Sequence, residues 1–82
     1  MTRYFFDLRD DDGTSLDEEG LEFSSLRRVQ EEAACSLVDV ARDAGMSRDS
    51  NIMRNLAVTV RNESGMTVLQ VRMNFEVDVP GR

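Results

Sequence analysis

Eighty-two residues with 40% hydrophobic and 32% charged side chains suit one globular domain, too short for a second core and too evenly mixed for a disordered or fibrous chain. A net charge of −6 disfavours nonspecific binding to DNA or anionic membrane, and no apolar run approaches the roughly 18 residues a membrane span needs. With no histidine in the chain, the serine and cysteine nucleophile systems that depend on an imidazole base are excluded.

Residues 3–9 alternate, with Tyr4, Phe6 and Leu8 on one side and Arg3, Phe5, Asp7 and Arg9 on the other, which predicts a strand with one buried face. This strand follows Met1 so closely that no signal peptide is expected, and the single Cys35 fits a reducing compartment, so the expected location is the cytoplasm. Asp10-Asp11-Asp12-Gly13 then has the chemistry of a hairpin turn. Residues 15–23 return as an irregular edge strand carrying Leu16, Leu21 and Phe23 among four acids. Residues 1–23 hold eight acids against Arg3 and Arg9, so the whole charge surplus lies in this first quarter.

Ser24 or Ser25 can cap a helix that runs to Ala44 and stops at Gly45. Its apolar stripe is Leu26, Val29, Ala33, Leu37, Val40, Ala41 and Ala44, with Cys35 on the opposite side. Residues 46–55 read as a polar return loop. Leu56, Val58 and Val60 alternate in the next strand, and Asn62-Glu63-Ser64-Gly65 fits a type I turn closed by a left-handed glycine. The last strand, from Thr67, sets Leu69, Val71, Met73, Phe75, Val77 and Val79 on one face and Gln70, Arg72, Asn74, Glu76 and Asp78 on the other, until Pro80-Gly81. It outruns what residues 56–61 can pair with, so either the first strand or an edge of a second chain is expected to cover the excess.

The expected fold is therefore a single α+β domain over residues 1–82: two layers in β-β-α-β-β order, with a four-stranded, mostly antiparallel sheet packed against one amphipathic helix.

Four features bear on chemistry. Asp10, Asp12 and Glu19, with Gly13, fit positions of a calcium loop, but Leu8 stands where the first carboxylate ligand belongs, so no metal site is assigned. The same acids lack an apolar pocket to raise one pKa for acid–base work, which leaves a solvated face or an acidic patch for a basic partner. Arg28 and Arg42 lie near Cys35, but Glu31, Glu32 and Asp39 share that surface, so it reads as a tolerated surface thiol. The sheet face away from the helix would present Arg3, Phe5, Arg9, Thr59, Arg61, Gln70, Arg72 and Asn74. One aromatic and four arginines are sparse equipment for stacking and phosphate contact on single-stranded nucleic acid. An ordinary solvated face, or a protein interface marked by Phe5 and Val68, is preferred: the domain is expected to be a small interaction or regulatory module, self-associating as a homodimer through Phe5, Arg61, Arg72, Phe75, Val77 and Val79. A nucleic-acid-associated regulator is the alternative, and no catalysis, cofactor or membrane contact is expected.

Arg3-Tyr4-Phe5-Phe6-Asp7, Asp12-Gly13 and Asp17-Glu18-Glu19-Gly20-Leu21-Glu22 before an Ala-containing helix make a recognisable series over the first 45 residues. In these motifs the chain resembles an uncharacterised family of very short proteins from rhizobia-like alphaproteobacteria, although residues 46–55 look longer or more polar than that pattern. The resemblance implies a bacterial domain of unknown function with no established catalytic residues. It transfers no mechanism.

Overall fold

Alternation over the first residues produces β1 (Thr2–Asp10), and the acidic turn folds it back into β2 (Gly13–Ser15). The Asp10 carboxylate accepts the Asp12 and Gly13 amides at 2.8 and 3.1 Å, so the turn satisfies its own backbone. The computed structural model describes residues 1–45, 52–78 and 80–81. The chain continues through β3 (Leu21–Phe23), α1 (Leu26–Gly45), β4 (Ile52–Arg61) and β5 (Thr67–Val77). The class is α+β, one helix on an antiparallel sheet, but the order is β-β-β-α-β-β.

The extra strand arises because the return segment splits. β2 pairs the C-terminal end of β1 (Leu8↔Ser15) and β3 pairs its N-terminal end (Thr2↔Phe23, Tyr4↔Leu21), with residues 16–20 between them outside any strand. The rest of the sheet runs β1-β4-β5, so β5 lies at the far edge.

A second difference lies in β4. Residues 52–55, expected as loop, are strand: Ile52 pairs with Val77, Arg54 with Phe75 and Asn55 with Asn74. The inner side of the long last strand is therefore covered by its own hairpin partner rather than by β1 or another chain. Arg54 and Asn55 are too polar to read as strand alone, and the alternation of β5 across from them supplies the template. β1 reaches only residues 57–61, so the far part of the β4–β5 hairpin projects and stretches the molecule to 51 × 22 × 16 Å. Val79, expected on the apolar row of this strand, lies outside the described residues.

The hairpin turn forms as anticipated, with Asn62 Oδ1 accepting the Ser64 and Met66 amides and Gly65 at φ +84°. Just beyond it the register shifts, Val60 pairing with Leu69 but Arg61 with Thr67. The extra residue, Val68, packs partly against the core instead of marking the open face.

Ser25 caps α1, its Oγ accepting the Arg28 amide at 3.3 Å. Val29, Ala33, Leu37 and Ala41 bury the helix stripe against Leu56, Val58 and Val60, while Leu26, expected in the stripe, overhangs half exposed in the first turn. Tyr4, Phe6 and Leu8 complete this side, with Phe6 edge-on to Phe23 at 5.7 Å. Cys35 is exposed, on the helix face away from the sheet. Among the described residues no helix is long and apolar enough to cross a membrane.

Candidate functional site

The sheet face opposite the helix is where sequence reasoning set the arginines, and its chemistry divides into two halves. At the β1–β3 end, residues 16–20 fold over the face as a strap. Where the edge ladder breaks between β2 and β3, Asp17 takes the place of a strand: its Oδ2 accepts the Phe6 amide at 3.0 Å, and its Oδ1 accepts the Glu19 and Gly20 amides at 3.1 Å each. The Asp17 amide donates in turn to Asp7 Oδ1 at 3.0 Å.

Beneath the strap Asp7 is 6% exposed, the one buried charged residue described. Arg61 reaches it from β4 with two bonds, Nε to Oδ2 at 2.6 Å and a terminal nitrogen to Oδ1 at 3.1 Å, and also donates to the Asp17 carbonyl at 3.0 Å. The guanidinium lies 5.1 Å from the Phe5 ring centroid, a cation–π contact. The Arg61 bonds hold the Asp7 carboxyl below the ordinary carboxylate range against the opposing effect of burial. Burial also pushes Asp17 up, but the Phe6, Gly20 and Glu19 amides and the Arg61 charge outweigh it and the net shift is down. Both acids are therefore fixed as anions, which suits structure better than proton transfer near neutral pH.

Gly20 closes the strap at φ +71°, and a Cβ there would lie 2.8 Å from the Tyr4 carbonyl oxygen and 3.0 Å from the Phe5 ring. Gly20→Ala is expected to cost about 2 kcal/mol from left-handed strain plus that contact, lowering the melting midpoint by roughly 10 °C in a scan followed by circular dichroism. A midpoint within roughly 2 °C of the parent would mean that the strap is not seated as described.

At the other half, Arg9 on β1 and Arg72 on β5 both face Ala57 on β4 in register, roughly 10 Å apart across two strand spacings. They flank a depression of about 330 Å³ that continues to Asn55, Asn74 and the hairpin acids Asp10 and Asp11. Asn74 donates to Asn55 Oδ1 at 2.7 Å, and Asp11 accepts the Asn55 amide at 3.2 Å, extending the ladder beyond β1 with a side chain. Neither Arg9 nor Arg72 has a carboxylate within 4.0 Å among the described residues; Arg72 donates only to Gln70 Oε1, at 2.8 and 3.2 Å. Both signs of charge line the depression, and among the described residues no aromatic ring does.

The residues singled out from sequence thus separate. Phe5 and Arg61 form one internal unit, half-buried against the strap; Arg72 stands on the outer strand, with no counter-ion among the described residues; Phe75 and Val77 are half-buried on the helix side of the same strand. Arg3 also turns inward, donating to the carbonyls of Glu19 and Gly20 at 2.7 and 3.4 Å. Asp10, Asp12 and Glu19 do not converge: the first two lie at the hairpin tip and the third in the strap, and no group of three or more metal-ligating side chains occurs among the described residues. Sequence reasoning missed Asp7 as a buried anion. The available signal was Asp17-x-x-Gly20, the spacing of a carboxylate that caps its own turn, on a segment short enough to cross the face.

The model of a domain of unknown function (DUF6894) matches residues 3–74, which takes in the strap, the helix and most of the long hairpin. The chain belongs to this family. No curated protein and no solved structure matches the chain. Family membership accounts for the extent of the fold, and any function rests on the geometry above.

Proposed function

We propose that this domain is a small non-catalytic interaction or regulatory module that self-associates through its sheet, with the outer edge of β5 as the surface that takes up a second chain. The observation that carries the reading is the asymmetry of the two sheet edges. On the β1 side, three-residue strands and the Asp17 strap break the ladder, while β5 has eleven residues, ten of them in register with β4, and no other strand beside it among the described residues. A long flat edge strand presents unpaired amides and carbonyls that another strand can satisfy. The nucleic-acid reading is weaker, because two of its four arginines, Arg3 and Arg61, are turned into the protein's own hydrogen bonds.

The test is molar mass by light scattering coupled to size exclusion over a concentration series. The mass is expected to rise from one chain to two. Val77→Lys, which puts a charge in the apolar row near the end of the hairpin, is expected to move the midpoint at least about tenfold higher in concentration with helix content unchanged. A single-chain mass up to roughly millimolar concentration would overturn the proposal.

A further inference from the structure

Resting on the self-association just proposed, we infer that the strand received at this edge is β5 of a second copy, antiparallel, in the register that sets Asn74 opposite its own counterpart. The inference comes from the order of side chains along one strand. Only registers in which some residue faces its own copy keep the polar row of one β5 beside the polar row of the other, because a one-residue slip exchanges the faces.

Within that set the charges decide. Centring the pair on Arg72 sets arginine against arginine, and centring it on Glu76 sets glutamate against glutamate. Centring it on Asn74 sets Arg72 opposite Glu76 twice, once on each side of the two-fold axis, and brings the two Asn74 amides together. On the helix side the same register sets Met73 against Phe75 and Val71 against Val77, all four half-buried in the single chain. Residues 71–77 then pair within the observed strand. Centring on Phe75 shortens the overlap, and its charge pair, Arg72 with Asp78, relies on a residue beyond the strand end. Centring on Met73 pairs Arg72 with Asn74 and leaves the charges unmatched.

Neither Arg72 nor Glu76 has a counter-ion among the described residues, so both charges are available to a partner. A two-fold axis perpendicular to the sheet leaves both helices on one side of a continuous sheet, so the pairing requires no rearrangement of α1.

Cysteine crosslinking reads the register directly. In a Cys35→Ser background, which removes the exposed native thiol, Asn74→Cys is expected to form an intermolecular disulfide under mild oxidation, since directly opposed residues have Cβ atoms about 5 Å apart. Gln70→Cys in the same background should stay reduced, its two copies lying roughly 26 Å apart along the strands. As a second readout, Arg72→Glu and Glu76→Arg should each weaken the dimer roughly tenfold or more, and the two together should restore it to within about threefold.

Crosslinking through position 70 and not 74, or single reversals without effect on a dimer that light scattering still detects, would overturn the register and leave self-association standing. A single-chain mass at all concentrations would overturn both.

Discussion

Leu37→Ala is expected to lower unfolding stability by about 3 kcal/mol, because the side chain is 1% exposed and is the largest that the helix buries against β4. Among the described residues the core is small: its buried apolar side chains come only from Val29, Ala33, Leu37 and Ala41 on α1 and Leu56, Val58 and Val60 on β4. A domain of this length commonly holds roughly 4–12 kcal/mol in all, so one deletion removes a large share. The midpoint in thermal or urea denaturation should fall by roughly 15–20 °C or its urea equivalent. Val38→Ala, one residue along and half exposed, should stay within about 0.5 kcal/mol. Equal effects at the two positions would mean that the helix does not seat on the face described.

Asp7→Asn is expected to be the other large loss, about 2 kcal/mol, since a buried carboxylate holding two Arg61 bonds and the Asp17 amide becomes a neutral amide with one acceptor atom. The effect stays below that of a fully buried ion pair because the Arg61 side chain is 31% exposed. The pH dependence should change with it. Asp7 and Asp17 both have folded pKa values below the ordinary 3.8, so the unfolded chain takes up protons first as acid is added. Their contribution is fully present above the unfolded value and is lost as pH falls through 3.8 and then through the lower folded values. In melting curves from pH 7 to roughly pH 2.5 the parent should hold a plateau and then drop, with Asp7→Asn starting lower and dropping less steeply. Parallel curves for the two proteins would show that acid sensitivity arises elsewhere.

Local periodicity made the two-layer arrangement readable. The stripe from Val29 to Ala41, the Ser25 cap and the alternations in β1 and β5 each depend on residues close in sequence, so pattern and structure coincide. What escaped depends on partners distant in the chain. Asp7 was assigned to the correct face, but its burial comes from a strap ten residues away and an arginine fifty-four residues away. Ile52 to Asn55 became strand because β5 lies beside them, although the polar Arg54 and Asn55 and the polar residues before Ile52 argue for loop. Of the interface residues expected from sequence, Arg72, Phe75 and Val77 do share one outer strand, whereas Phe5 and Arg61 are held under the strap, since composition cannot tell a free guanidinium from one already enclosed.

The interrupted ladder along β1 would also set how large the proposed assembly could grow. Short strands and a carboxylate occupy hydrogen-bonding positions on that side, leaving no continuous row of amides for another chain to extend. Two copies joined through their β5 strands would turn these blunted rims outward at both ends. The proposed product would then be closed at two chains, and a sheet with an edge long enough to seed a fibril would terminate as a discrete pair.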